Sequence, residues 1–377
     1  METLNLIKND PWLEPYADAI NGRHKHAAEK EAELTNKGKQ TLSDFASGYL
    51  YFGLHRTDNG WVFREWAPNA TQIFLIGTFN DWKEEKKYSV SVIVNDSNND
   101  RWIAMREGLE QAAKDDDIQL NYVSTGVFAS EDEEKALIER EVENGADGII
   151  VQLVSSEDTY AVFEKIDSSV AVMLLETDAV SEGVYSVTAP DNLWIGEALA
   201  QTVLQDYGDS LSEKKIGILS GNQNQLSMQQ RLGSVKKLLE DENIEPVWIL
   251  SGQGENLSSE LVTKQADEPV DILITLGNAE TETAVDYLQA DTSYKRQFMI
   301  YGEGCSDKTV YYLDKGIIKS LVVPNEFNMG YQSVHTIAEQ IKYKFSSAES
   351  TTVDSLVINR QNLYDEENQK TLFPIVQ

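Results

Sequence analysis

The sequence predicts an α/β protein. Two doubly wound lobes with parallel sheets are preceded by a helix and a small antiparallel sheet. Three observations carry this. From Tyr88 onward, short apolar runs alternate with stretches of helical periodicity, and the alternation restarts once near Lys215. Before that, aromatic and β-branched runs flank an Asn-Gly turn signal. The composition also breaks where the pattern changes. Residues 1–87 hold 13 acidic and 11 basic side chains, whereas residues 88–377 hold 50 and 21, so nearly all of the net charge of −31 lies in the second part. Four of seven tryptophans and three of four histidines lie in the first. A break this sharp points to two pieces of different origin.

In the first piece, Pro11 and Pro15 bracket an entry segment. A helix is expected from Ala17 to Leu34, rich in Ala, Glu and Lys, with Gly38 past its end. Strands are expected at Tyr49–Phe52, Trp61–Phe63 and Ile73–Ile76, the first two joined through Thr57-Asp58-Asn59-Gly60, because Asn-Gly accepts positive φ.

In the second piece, Ser89–Asn95 reads as a strand buried on both faces. A helix over Arg101–Asp115 follows, with Trp102, Met105 and Leu109 on one stripe. Strands are expected at Ile118–Val123, Gly148–Leu153, Val170–Leu175 and Tyr185–Val187, with helices at Glu131–Asn144 and Asn192–Tyr207. The second array reads as strands at Lys215–Leu219, Glu245–Leu250, Ile272–Thr275, Gln297–Tyr301, Ser320–Val323 and Leu356–Asn359. Its helices are expected at Met228–Glu242, Asn256–Gln265, Glu280–Gln289 and Tyr331–Phe345. In such sheets ligands sit at the carboxyl ends of the strands, here in the cleft between lobes.

The charge disfavours binding to nucleic acid or to anionic lipid surfaces. No run of 18 apolar residues is present to span a bilayer. A single cysteine, Cys305, excludes a disulfide framework or a cysteine-based metal site, and no cofactor is implied. The opening METLNLIKNDPWLEPY has no basic segment followed by an apolar one, so the polypeptide as written is expected to stay in the cytoplasm. His24 and His26 are spaced for neither helix face of a metal site, and His335 is expected inside a helix with no obvious partner. Gly221-Asn-Gln-Asn-Gln makes no phosphate loop. Nothing argues for catalysis.

Residues 1–86 resemble the amino-terminal region of glycogen (1,4-α-glucan) branching enzymes, the resemblance carried by residues 22–82 with FREWAPNA (63–70) and GTFNDW (77–82). The resemblance implies a helical arm and a β-sandwich carbohydrate-binding module, broken off near Glu84–Lys87 with about half its strands. Trp61, Trp66 and Trp82 are candidates to stack on sugar rings, with Asn80 and Asp81 on hydroxyls. The plainer alternative makes Trp66 and Phe63 core residues and Trp82 a packing residue at a strand end. Without the catalytic barrel of that family no branching chemistry is expected.

Residues 88–377 resemble the type I periplasmic sugar-binding proteins, the family of ribose-binding proteins and of the lac repressor effector domain. The runs that carry it include VIVNDSNNDRWIAMREGLEQAAK (92–114), ENGADGIIVQLVSS (143–156), SVTAPDNLWIGEALAQ (186–201), DILITLGNAETETAVDYL (271–288) and IIKSLVVPNEFNMGYQSV (317–334). Carried over residue by residue, the resemblance implies a pocket. Asn95, Asn99 and Trp102 follow the first strand as polar contact, amide and stacking ring, and Gln152 ends the third. Glu176 ends the fourth, where the family commonly has Asp then Arg; here Thr177 follows, so that guanidinium is missing. Arg231 opens a helix of the second lobe, Asn278 matches an amide position, Glu303 replaces a usual Asp, and Asn325 lies at the last crossover. Carboxylates, amides and guanidinium suit vicinal hydroxyls, and a ring suits the apolar sugar face. Each residue also has a structural alternative: Trp102 on the core stripe, Glu176 and Glu303 as solvated strand-end charges, Arg231 as a surface charge.

The expectation is therefore a chimera in two parts. Residues 1–87 are a truncated branching-enzyme and carbohydrate-binding-module fragment. Residues 88–190 with 325–354 form lobe 1, and residues 191–324 with 355–377 form lobe 2. Hinge crossovers are expected near Ala189–Asn192, Pro324–Asn325 and Ser350–Asp354. The resemblance implies a non-enzymatic solute receptor for a small polar ligand, a monosaccharide. It further implies an ABC permease or membrane sensor as partner, and export or membrane anchoring outside the cell in the native context of residues 88–377. The competing readings are a branching-enzyme-derived protein of glycogen metabolism and a lac-repressor-like transcription regulator. The latter would need a basic helix-turn-helix before the first strand, where residues 60–87 read as sheet.

Overall fold

The computed structural model describes residues 5–42, 52–57, 60–65, 67, 73, 78, 87–94, 101–123, 130–157, 163, 166–180, 185–252, 254–290, 298–344 and 349–373. The chain divides into two compact units, Met1–Glu85 and Lys86–Gln377.

The first unit contains helix α1 (Asn5–Asn9), a 3-10 segment Pro11–Tyr16 and helix α2 (Ala17–Leu34). None of α2 is buried, and pairs one turn apart such as Lys30–Glu33 (2.8 Å) line its surface. Strands β1 (Gly53–Thr57) and β2 (Gly60–Arg64) form an antiparallel hairpin closed by the Thr57–Gly60 pair. The turn signal thus works as expected. The strand that pairs across the turn is Gly53–Thr57, its register set outward from the turn; of the expected strand Tyr49–Phe52, Phe52 lies outside the strand and 49–51 lie outside the described residues. Phe63, alternatively a core residue, is exposed. Of the expected third strand, Ile73 has no regular structure and 74–76 lie outside the described residues, as do Trp66, Asn80, Asp81 and Trp82.

In the second unit, strand β3 (Tyr88–Ile93), helix α3 (Arg101–Asp115), β4 (Ile118–Tyr122), helix α4 (Glu131–Glu143), β5 (Gly148–Val151), β6 (Ala171–Leu175) and β7 (Ser186–Pro190) alternate as the apolar runs require. Helix α4 starts cleanly, since Ser130 accepts from the Glu133 amide and four acidic residues occupy the first turn. Helix α5 (Asn192–Tyr207), β8 (Ile216–Leu219), α6 (Leu226–Asp241), β9 (Trp248–Leu250), α7 (Gly254–Asp267), β10 (Ile272–Thr275), α8 (Asn278–Ala290), β11 (Met299–Glu303), α9 (Asp307–Asp314) and β12 (Ile318–Pro324) follow. The chain ends through α10 (Glu326–Tyr343), β13 (Thr351–Val353), β14 (Ser355–Asn359) and α11 (Glu366–Leu372).

Two six-stranded sheets result, ordered β4-β3-β5-β6-β7-β13 and β9-β8-β10-β11-β12-β14. The first is parallel throughout, with strands β5 and β6 buried at every position. The second is parallel except at its edge, where β14 runs antiparallel to β12. This corrects the expectation of wholly parallel sheets. The chain re-enters the second sheet at the end where β12 leaves it, Ser355 pairing with Pro324, so β14 must run against β12. Strand β13 and helices α9 and α11 were not expected: three, eight and seven residues are too few for periodicity to register.

Three chain segments pass between the sheets. Strand β7 leads to α5, which packs on α6 and β11; β12 leads to α10, which packs on α3 and β6; and β13 leads to β14. Each lobe is tied by a pair of helices in backbone contact. A Cβ on Gly108 of α3 would lie 2.0 Å from the Phe327 carbonyl oxygen of α10, and one on Gly196 of α5 would lie 2.3 Å from that of Arg231 on α6. His335, expected without a partner, sits on α10 with Nδ1 2.8 Å from Asp116 Oδ2, and Lys342 Nζ reaches the other oxygen at 3.2 Å. Asp116 lies beyond the end of α3, and helix packing brings this sequence-distant carboxylate to the histidine.

Candidate functional site

The carboxyl ends of β6 and β11, one from each sheet, face a single guanidinium. Glu303 is the last residue of β11 and Glu176 follows β6. Between them stands Arg231 of α6, fully buried, in the second turn of that helix and not at its opening as the sequence suggests. Its Nε donates to Asn192 Oδ1 (2.8 Å) and its Nη1 to the Leu276 carbonyl (2.8 Å). Glu303 Oε1 is 3.4 Å from Nη1, and Glu176 Oε1 is 3.7 Å from Nη2. Gln152, just after β5, donates its amide to Glu176 Oε2. The solvated-charge alternatives for Glu176, Glu303 and Arg231 are thereby excluded, since all three are nearly inaccessible.

Local backbone explains how Glu176 is aimed. It has φ of +69°, a region sparsely populated by non-glycine residues. The turn is held because its amide donates to Thr188 O (2.9 Å) and its carbonyl accepts from Asn192 Nδ2 (3.2 Å). Strain of this kind, held by surrounding hydrogen bonds, collects at functional sites. Asn278, 4 % exposed at the start of α8, donates to Glu282 (3.0 Å), while its Oδ1 is buried without a hydrogen bond among the described residues.

Other expected residues are placed differently. Trp102 packs in the core with Val94, Met105 and Leu109. Asn325 caps α10, its Oδ1 accepting from the Asn328 amide at 2.9 Å. Asn95 and Asn99 lie outside the described residues. Cys305 lines a crevice of about 210 Å³ with Ile103, Glu107, Pro324, Glu326 and Phe373. Burial, with Glu326, Asp307 and Glu303 nearby, pushes its thiol up to about 12, so it is not a ready nucleophile. Among the described residues no group of three or more His, Cys, Asp or Glu is placed to hold a metal.

Asn192 escaped the sequence reading. It is the first residue of α5, after the cap Asp191, and its amide bridges Arg231 and the Glu176 backbone. The available signal was a lone amide starting a helix whose inward positions are Ile195, Leu199, Ala200 and Val203.

Behind the strand-end loop of the first lobe lies Glu134 of α4, 2 % exposed, accepting from the Val154 amide at 2.9 Å. Burial, reinforced by Glu131 and opposed by the Val154 bond and Lys135, pushes its carboxyl up to about 8. The folded chain therefore holds a proton that the unfolded chain releases near its ordinary value of 4.5. Glu134's contribution should fall as pH rises from about 4.5 to about 8 and level off above, a loss on the order of 5 kcal/mol. Urea titrations at pH 5, 6.5 and 8 check this: Glu134→Gln should flatten that segment of the profile, and an unchanged slope would refute the assignment.

Two lobes joined by three crossing segments, with a polar cluster between their strand ends, define a hinged binding protein. The sequence pattern of the periplasmic binding protein domain matches residues 90–344, and the chain belongs to that family. Solved structures agree on the fold. A glucose-galactose binding protein from Geobacillus stearothermophilus superposes with TM-score 0.65 at 23 % identity, covering 74 % of this chain and 100 % of that one. A carbohydrate transporter solute binding protein from Agrobacterium radiobacter, in complex with D-arabinose, gives 0.67 at 17 %, covering 76 % and 99 %. The Caulobacter myo-inositol binding protein gives 0.66 at 16 %, covering 75 % and 97 %.

The first part of the chain is similar to another family. Carbohydrate-binding module 48 (isoamylase N-terminal domain) matches residues 51–124. The 1,4-alpha-glucan-branching enzyme of Dictyostelium discoideum is 39 % identical over 79 residues, and that of Solanum tuberosum 43 % over 81. These alignments cover 21 % and 22 % of this chain but only 12 % and 9 % of those enzymes. The module match continues past residue 87 into β3, α3 and β4, which here belong to a parallel α/β sheet. The chain thus joins a branching-enzyme-like fragment to a binding-protein fold.

Proposed function

We propose that residues 88–377 act as a receptor that closes on a small polyhydroxyl ligand, a monosaccharide, and that the first 87 residues add no branching chemistry. The observation that carries this reading is Arg231, fully buried between Glu176 of one lobe and Glu303 of the other. With Gln152, Asn192 and Asn278, the two carboxylates and the guanidinium supply directional donors and acceptors at strand ends, as hydroxyl recognition demands. The sugars named for the structural neighbours support the ligand class. The description of the Agrobacterium radiobacter neighbour as a carbohydrate transporter solute binding protein supports a role in transport; the partner in this reading is an ABC permease and the place of action outside the cytoplasm.

A thermal-shift screen of the full chain tests the reading, with D-glucose, D-galactose, D-arabinose and myo-inositol set against amino acids and nucleosides. A ligand at 100 times its Kd should add about 2.7 kcal/mol, raising Tm by roughly 4–5 °C for a unit of this size. A shift with an amino acid or nucleoside and none with any sugar or polyol would refute the ligand class.

A further inference from the structure

The two lobes also meet beside the Arg231 cluster, and the meeting is built around one helix end. Helix α6 starts after Gln225, whose side chain makes no capping bond. The first amides of any helix lack intrahelical acceptors and need partners. Here the partners come from the other lobe. The Leu226 amide donates to Ser156 Oγ (2.9 Å) and the Ser227 amide to Thr177 Oγ1 (3.1 Å). Ser156 turns its own hydroxyl proton to the Asp178 carbonyl (2.6 Å), which leaves its lone pairs for Leu226. Ser156, Thr177 and Ser227 are all buried. Around this end, Asn222 Nδ2 donates to Val154 O (2.8 Å), Gln225 Nε2 to Leu153 O (2.6 Å), and the Ser156 amide to Asn224 O (2.9 Å).

We propose that Ser156 and Thr177 cap α6 from across the cleft and, with the Asn222 and Gln225 amides, form a latch that favours the closed arrangement of the lobes, so that part of the ligand-free population is closed. Opening uncaps the helix, so closure carries a cost of separation set by hydrogen bonds that touch no ligand. The same helix bears Arg231 one turn beyond Ser227, so the latch also fixes the guanidinium against Glu176. Ser156 and Thr177 are in this sense positioning residues. Thr177 stands where the family resemblance leads one to expect a ligand-contacting arginine; its hydroxyl instead serves closure.

The arrangement needs no particular ligand and its test uses none, so it stands or falls apart from the sugar reading. Spin labels at Glu139→Cys on α4 and Lys237→Cys on α6, both exposed, report the interlobe distance in the ligand-free full chain by double electron–electron resonance. The chain carrying only the labels should give a short-distance population beside the long one. Thr177→Val, which keeps the shape and removes the acceptor, should lower the closed-to-open ratio roughly five- to tenfold, the size of one lost cap. Gln225→Asp gives α6 a cap of its own. It should open the lobes similarly while leaving the urea midpoint of the chain unchanged or raised. No short-distance population in the chain carrying only the labels, or identical distributions in all three proteins, would overturn the latch.

Discussion

Replacing Arg231 by Met should destabilise the chain by about 3–5 kcal/mol at neutral pH and abolish binding of any sugar that the full chain binds. The magnitude follows from what is left behind. Arg231 is wholly inaccessible, and its guanidinium is the cation held between Glu176 and Glu303 at 3.7 and 3.4 Å. Methionine fills much of the volume, so cavity formation is a small part of the loss. The dominant part is a pair of carboxylates kept out of water without that cation, with the Leu276 carbonyl and Asn192 Oδ1 losing their donors as well. Charge is thus separable from packing. The double variant Arg231→Met with Glu176→Gln should recover part of the stability but none of the binding. Urea unfolding and calorimetric titration of both variants decide it. Full stability in the single variant would mean that the cluster is solvated and the site wrongly assembled.

Gly196→Ala should cost about 3 kcal/mol or more, whereas Gly233→Ala, on the helix it packs against, should stabilise by about 0.5–1 kcal/mol. Both glycines sit inside helices, where alanine is preferred on propensity alone. At Gly233 an added Cβ meets nothing within 4 Å, so propensity decides the sign. At Gly196 it would lie 2.3 Å from the Arg231 carbonyl oxygen and 2.8 Å from Ser234 Cβ. Backbone of a packed helix cannot retreat by an ångström without moving everything it carries. Here it carries Arg231, so Gly196→Ala should also weaken ligand binding while Gly233→Ala leaves it alone. Paired urea and titration measurements check both halves; equal effects at the two positions would refute the close helix contact.

Much of the fold was legible from periodicity. Runs such as GIIV at 148–151 and AVMLL at 171–175 are apolar at every position because both faces of a parallel strand are covered, and each fell within an expected strand. Helices α2 and α5 matched their expected bounds, having a Pro-rich entry in one case and an Asp cap in the other. Short elements escaped. So did pairing direction at β14, which depends on the end at which the chain enters the second sheet and not on the strand's own residues. Trp102 shows the limit of position-based inference: an aromatic on a core stripe and a stacking ring look alike in sequence, and packing placed this one in the core.

The sequence by itself determined that two unlike pieces are joined, that the second alternates strand and helix twice over, and that Glu176, Arg231 and Glu303 fall near strand ends or a helix's first turns. Such features follow from local pattern and composition. Only the tertiary structure decided that these three groups meet. Only it gave Asn192 the task of holding Arg231, and Ser156 and Thr177 that of capping a helix in the other lobe. Those contacts join residues 39 to 72 positions apart in the chain. Their energies come from burial and from satisfying polar groups that have no partner nearby in sequence, which no local pattern encodes.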